Sequence, residues 1–299
     1  MTATATTENP FGDEFEPPEG SQDGSNKIEY DRWGRYANLP AIPGVRGVGP
    51  WTRVSTVAKT LDDPYFLDLW KQRQIIRGIH KNPELLRVLN GSRFDPDTQH
   101  GKKILNALAS QAMDEVGSYD GATAGTKFHD LAEKHDLGED WYHPDAPEDD
   151  RLMVEAYRNE LARHAIRVMP ELMERVICVP ELNVAGRFDR VVLDNGVYRI
   201  GDLKSQKSMD FGHISLAVQL AIYANASYVL NMETWEWEPV PVEIDKNTGV
   251  IMWVPATQPG RAEIHDVDIA MGWTLAKASV KVREWRKEKG FVVRRGRVA

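Results

Sequence analysis

A chain of 299 residues with 41% hydrophobic side chains has apolar content enough for a packed core, and its single cysteine, Cys178, excludes a disulfide framework or a thiolate-held zinc or iron–sulfur centre built from this chain alone. No stretch approaches the roughly 20 apolar residues of a membrane span, and the N-terminus lacks the basic and apolar regions of a signal peptide, so the expectation is a cytoplasmic protein with no membrane partner. The net charge of -8 is unevenly spread: residues 1–30 hold seven acids against Lys27, which leaves the remaining chain at -2.

In chain order, residues 1–45 read as a disordered acidic arm and a Pro- and Gly-punctuated connector, too poor in apolar side chains to offset their ordering entropy. A helical region packed on the core is expected over 46–118. There Ser55 or Thr56 caps a helical zone containing Leu61, Phe66, Leu69, Trp70 and Ile75, and a second helix spans about 103–117. The core is expected over 119–290. Gly125 and Thr126 start a helix that carries His129, Leu131, Ala132 and Glu133, and helix resumes from about 151 to 168. From residue 175 the apolar period shortens, and "ERVICVPELNVAGRFDRVVLDNGVYRIGDLKS" reads as three short strands. Helix returns over about 211–230, "WEPVPVEIDKNTGVIMWVP" reads as a hairpin around Asn247-Thr248-Gly249, and a last helix covers about 269–288 before a basic tail at 291–299. Basic clusters at Lys71, Arg73 and Arg77, at Lys102 and Lys103, and from Arg283 through Arg286, Lys287, Lys289, Arg294, Arg295 and Arg297 read first as solvated faces.

Asn195-Gly196 between two β-rich runs predicts a two-residue type I′ turn, because both central positions need positive φ. If Asp194 faces Val197, then Val191 faces Ile200, Asp189 faces Asp202 and Arg187 faces Lys204. Two carboxylates then lie opposite each other, with Cβ atoms about 4.5–5.5 Å apart. Side chains alternate along a strand, so Asp189, Asp202 and Lys204 share a face while Leu203 points away. Two readings remain open at this point: a hard cation such as Mg²⁺ or Mn²⁺ offsets the repulsion, or Arg187 and Lys204 neutralise the acids in a solvated cluster.

"GTKFHDLAE", "GRFDRVV", "YRIGDLKS" and "QLAIY" resemble, in order and spacing, the RecB-like branch of the PD-(D/E)XK nucleases, and "RVSTVAKTLDDPYFLDLW" is similar to the N-terminal segment of its phage-type members. The resemblance implies an α+β, restriction-endonuclease-like core with a mixed central sheet flanked by helices. It implies a divalent-metal-dependent DNA nuclease, an exonuclease of phage-type recombination, replication or DNA processing, using Mg²⁺ or Mn²⁺ and without an iron–sulfur cluster. It makes Asp189, Asp202, His129 and the main-chain carbonyl of Leu203 metal ligands, Lys204 the catalytic lysine, and Gln219 and Tyr223 its Gln-x-x-x-Tyr pair. Glu181 matches an additional acidic ligand of some relatives.

Within that reading, Lys204 orients or helps deprotonate the attacking water, Ser205 and Lys207 contact phosphate together with Gln219 and Tyr223, and Glu133 supports His129 from one turn on. Linear duplex or single-stranded DNA is the expected partner, with recombination or replication proteins as further ones. Trp51, Trp70 and Trp273 read as core side chains before stacking platforms. A zinc site on His129, Glu133 and His135 is disfavoured because no His-Glu-x-x-His arrangement exists. The alternative outside enzymology is a nuclease-fold protein that binds nucleic acid or assembles without cutting.

Overall fold

The computed structural model describes residues 28–91 and 94–292. The expectations for the acidic arm through residue 27, and for the tail containing Arg294, Arg295 and Arg297, lie outside the described residues. The α+β expectation holds: among the described residues, mixed strands form two five-stranded sheets with eight α-helices around them.

The Asn195-Gly196 turn sets the geometry. Both residues have positive φ, 49° and 81°, as a type I′ turn requires. It joins β5 (Arg190–Asp194) to β6 (Val197–Lys204) in the expected register, with Val191 facing Ile200 and Asp194 facing Val197. The ladder ends at Arg190 and Gly201, one residue short of Asp189. Arg187 does not face Lys204, because it belongs to a different strand, β4 (Val184–Arg187), where it pairs with Val176 of β3 (Val176–Val179).

Four strands therefore replace the expected three. A fifth, β2 (Arg167–Met173), overlaps only the last residues of the helix expected over about 151–168; that helix, α6, spans Glu148–Arg163. The chain from β2 into β3 and the chain from β4 into β5 form one long hairpin that crosses from one sheet to the other. Its pairing stays continuous through the crossing: Val176 faces Arg187 in one sheet and Met173 faces Arg190 in the other. Between them the Glu174 amide donates to the Asp189 carbonyl at 2.9 Å. The bend falls at Glu174, whose φ is 49°, and no Gly or Pro announces it.

The expected hairpin around Asn247 is absent. β8 (Glu236–Pro239) pairs with β7 (Tyr228–Asn231), the segment expected to end the preceding helix. β9 (Thr248–Trp253) instead runs parallel to β6 and antiparallel to β10 (Glu263–Asp268). The Asn-Thr-Gly signal thus marks a strand start and not a turn.

Helix α7 (His213–Ala224) occupies the centre. It is apolar on all sides, with Leu216, Val218, Leu220, Ala221, Ile222, Tyr223 and Ala224 buried, as suits a helix enclosed by protein. Val191, Ile200, Ile251 and Trp253 reach it from one sheet, and Ile177, Val179 and Val184 from the other. On the far side of the first sheet, Val192, Leu203, Val250 and Met252 pack on Phe128 and Ala132 of α5 (Asp120–Leu137) and on Met153, Val154 and Tyr157 of α6. The outer face of the second sheet, through Val176, Cys178 and Ala185, is covered by Tyr36, Ile42 and Trp51. The alternation of Ile177 and Cys178 between two cores is the strand period of two.

The N-terminal helical region divides. Helix α1 (Val54–Ala58) begins before Ser55 and Thr56, which do not cap it, and packs against α7 and α8 (Ile269–Trp285). By contrast α2 (Tyr65–Lys81) packs chiefly on α4 (Gln99–Glu115), with α3 (Glu84–Gly91) between them in the chain. Among the described residues, no helix is long and apolar enough to cross a membrane.

Close approach between α7 and α8 depends on Gly272, where an added Cβ would lie 2.2 Å from the Ala217 carbonyl oxygen. Backbone cannot yield as a side chain can, so Gly272→Ala is expected to cost about 1–3 kcal/mol. The measurement is urea unfolding, with a lower midpoint at unchanged m value.

Candidate active site

Asp189 lies where the long hairpin passes between sheets, and Asp202 lies on β6 beside α7. The side chain of Asp202 is 1% exposed and that of Asp189 18%. The backbone amide of Leu203 donates to Oδ2 of Asp189 at 3.0 Å, which ties the two acid-bearing segments together beyond the end of the ladder. Lys204 completes the face: its ammonium lies against Oδ2 of Asp202 as an ion pair. That oxygen has charge compensation but no well-directed hydrogen bond.

His129 reaches the site from α5. Its Nδ1 lies 3.8 Å from Oδ2 of Asp189, and the ring is hydrogen-bonded to the backbone of Leu203. Gly125 enables this approach, since a Cβ there would meet the Ser205 hydroxyl at 2.7 Å. This explains why Gly125 sits inside α5, which starts at Asp120 and not at Gly125. From α7, Gln219 donates through Nε2 to Oδ1 of Asp202 at 3.3 Å and is hydrogen-bonded to the buried Tyr223. Tyr223 also meets Phe188 edge-on, 6.3 Å between centroids.

The structure thus brings His129, Asp189, Asp202, Leu203, Lys204, Gln219 and Tyr223 together. Ser205 adjoins α5, and Lys207 is exposed just beyond β6. Glu181 is not part of the group. It sits on the 3₁₀ turn Pro180–Leu182 between β3 and β4, at the hairpin end opposite Asp189, and lines a cavity with Val179, Tyr228 and Trp273. His135 turns away too, packing on Trp141 and Tyr157, so it cannot join His129 and Glu133 around a zinc ion. Trp51 is buried and Trp273 partly so, whereas Trp70 is exposed.

Sequence reasoning missed Glu174, the acid that the hairpin does bring to the site. Burial, then the charge of Asp189, pushes its carboxyl up to about 8, with Glu133 adding to the effect and Arg187 opposing it. Continuing the β3–β4 register by two residues places Glu174 opposite Asp189, so the signal lay in the second hairpin, not the first.

Electrostatics divides the acids. Burial pushes Asp189 up, but Lys204, His129, Arg190 and the Leu203 amide outweigh it and hold the carboxyl below its ordinary value. Asp202 goes the other way, raised to about 6 by burial and by the charge of Asp189 against the pull of Lys204. For Lys204, burial favours the neutral amine, yet Asp202 and Asp189 prevail and raise it above its ordinary value. Burial lowers His129, with Asp189 opposing, so its imidazole is available as a neutral donor.

Behind the site, Arg190 points to the opposite face. Its guanidinium donates to Asp136 at 2.7 Å and to the Tyr157 hydroxyl at 2.6 Å, and that hydroxyl donates to Asp136 at 2.8 Å. Both charged side chains are nearly sealed, 1% and 3% exposed. This network anchors β5 to α5 and α6, and with them the spacing of Asp189 and His129.

A hard divalent cation fits this donor set, which offers two carboxylates, a carbonyl and one imidazole. Among the described residues, no group of three or more His, Cys, Asp or Glu side chains is already arranged to enclose an ion. The contacts that occupy the donors, Lys204 on Asp202 and His129 on the Leu203 backbone, are the ones that an ion would replace.

Residues 103–232 match the family model of the PD-(D/E)XK nuclease superfamily. The match takes in α5, α6, β2 through β7 and α7, and hence every residue of the group above. No curated protein matches the chain.

Two outcomes follow from the charges. An acid whose folded-state pKa lies above its unfolded value takes up a proton on folding, so stability is fully present below about pH 4.5 and is lost as pH rises toward 8. In EDTA, Glu174→Gln is therefore expected to raise Tm at pH 8 by about 2–4 °C relative to wild type, with the difference gone near pH 4.5, as read by scanning calorimetry. Arg190→Met strands a buried carboxylate and is expected to cost about 3–5 kcal/mol by denaturant unfolding, much of it recovered when Asp136→Leu is added.

Proposed function

We propose that this protein is a divalent-metal-dependent DNA nuclease that acts from strand ends, as an exonuclease of phage-type recombination, replication or DNA processing. One observation carries the metal-dependent part: two carboxylates, the buried Asp202 and the partly buried Asp189, meet beside Lys204 at a sheet junction, with the His129 imidazole and the Leu203 backbone at hand. Such a pair serves no packing purpose and is costly without a cation. The end-dependent part rests on the resemblance of the motifs to phage-type nucleases.

Asp189, Asp202, His129 and the Leu203 carbonyl would hold Mg²⁺ or Mn²⁺. When bound, the ion supplies Lewis-acid neutralisation of the scissile phosphate and lowers the pKa of a coordinated water. Lys204, beside the acid pair, would orient the attacking water or help deprotonate it, or donate to a phosphate oxygen. Gln219 positions Asp202 from α7, and Tyr223 backs Gln219. Ser205 and Lys207, just beyond β6, are placed to meet the phosphate backbone.

The test compares wild type with Asp202→Ala on end-labelled linear DNA and on closed circles, in Mg²⁺, Mn²⁺ or EDTA. Cleavage of linear DNA alone is expected, abolished by EDTA and reduced about 100-fold or more by the substitution. Cutting of circles would replace the exonuclease by an endonuclease. DNA binding without cleavage of either substrate would make the chain a nuclease-fold binding protein. Lys204→Ala retaining full metal-dependent cleavage would remove the role given to that lysine.

A further inference from the structure

Helix α2 carries four cations, Lys71, Arg73, Arg77 and Lys81, against one acid, Asp68, in a chain whose net charge is -8. Lys71 is engaged by Asp68 at 3.7 Å, and Lys81 caps the Glu115 carbonyl of α4. Arg73 and Arg77 are exposed. Arg77 donates to the neutral amide of Gln74 at 3.0 Å, and among the described residues it has no acidic partner.

These arginines share a helix face with two aromatic rings. Phe66, Trp70, Arg73 and Arg77 follow one another at steps of four, three and four residues, which places them in a single stripe along the axis. Phe66 is 70% exposed and Trp70 37%. The helix satisfies its packing elsewhere, through Gln74 and Gly78, the latter lying against the backbone of Ala112. The helices α2 to α4 lead directly into α5, which carries His129, and the turn before α2, Lys59–Leu61, packs on α7 and α8.

We propose that this stripe is a binding surface for an unpaired DNA strand, with bases stacked on Phe66 and Trp70 and phosphates held by Arg73 and Arg77. It deepens the nuclease reading, on which it rests, by assigning where a strand is gripped away from the cutting site. Flat rings interleaved with guanidinium groups match the alternation of base and phosphate along a single strand. A second copy of the chain laid on the same face would bring four guanidinium groups together with no acid in the stripe to meet them. Within a duplex the base faces are stacked on one another, and only the terminal pairs could offer a face to Phe66 and Trp70.

The experiment measures binding of a fluorescent single-stranded DNA of about 30 nucleotides, and of a blunt duplex, to the full chain in EDTA over a range of NaCl. Phe66→Ala/Trp70→Ala is expected to weaken single-strand binding about 10-fold or more with the salt slope unchanged. Arg73→Ala/Arg77→Ala is expected to lower the slope of log K against log salt by about 1.4, and Arg73→Glu/Arg77→Glu to lower affinity further. Hydrolysis of bis-p-nitrophenyl phosphate in Mn²⁺, a substrate too small to span both places, is expected to be unaltered in all three. Single-strand affinities within twofold of wild type would overturn the proposal. So would equal losses on duplex, or loss of a wild-type dimer in sedimentation. If wild type hydrolyses neither DNA nor the small ester yet binds single strands through the stripe, the nuclease reading falls and the surface stands.

Discussion

The repulsion between Asp189 and Asp202 is the constraint around which this fold is arranged. Two carboxylates brought together in a largely dehydrated junction cost folding energy unless positive charge meets them. The protein answers with Lys204 and the Leu203 amide on the near side, and with Arg190 fixed behind the strand by Asp136 and Tyr157. The answer is incomplete. Burial first, and then the charge of Asp189, keeps Asp202 raised to about 6 and Glu174 to about 8 in spite of the cations around them.

The two-sheet arrangement gives this junction its precision. A single long hairpin threads both sheets, and its crossing point carries Glu174 on one arm and Asp189 on the other. The turn at Asn195-Gly196 then returns β6 so that Asp202 and Lys204 arrive on the same face. Helix α7, enclosed between the sheets, delivers Gln219 to Asp202, while α5 brings His129 from outside. Of these candidate side chains, Asp202, His129 and Gln219 come from a strand and two helices, and Asp189 from the bend between β4 and β5.

The site was legible in the sequence where a local rule sufficed. Asn-Gly dictates a turn type, the turn dictates a register, and alternation brings Asp189, Asp202 and Lys204 to one face without reference to the rest of the chain. The β-rich runs after residue 175 and the helices bearing His129 and Gln219 were equally plain from periodicity. What the sequence hid was non-local. Nothing in "LMERVICV" says that the strand changes sheets at Glu174, so Arg187 was paired with Lys204 and Glu174 was overlooked. Glu181 lies at the other end of the same hairpin, within the three-residue 3₁₀ turn that joins β3 to β4. The Asn247-Thr248-Gly249 signal failed for a related reason: a parallel partner, β6, is invisible to hairpin logic, and β9 took it.

The central claim is that the junction of Asp189, Asp202 and the Leu203 carbonyl holds a divalent cation. It is tested most directly by anomalous diffraction from crystals soaked in Mn²⁺. One strong peak in contact with both carboxylates and the carbonyl, with Lys204 displaced from Asp202, is the predicted result. A junction in which Lys204 stays on Asp202 and no peak develops at saturating Mn²⁺ would contradict it, and would make the acid pair a salt-bridge cluster.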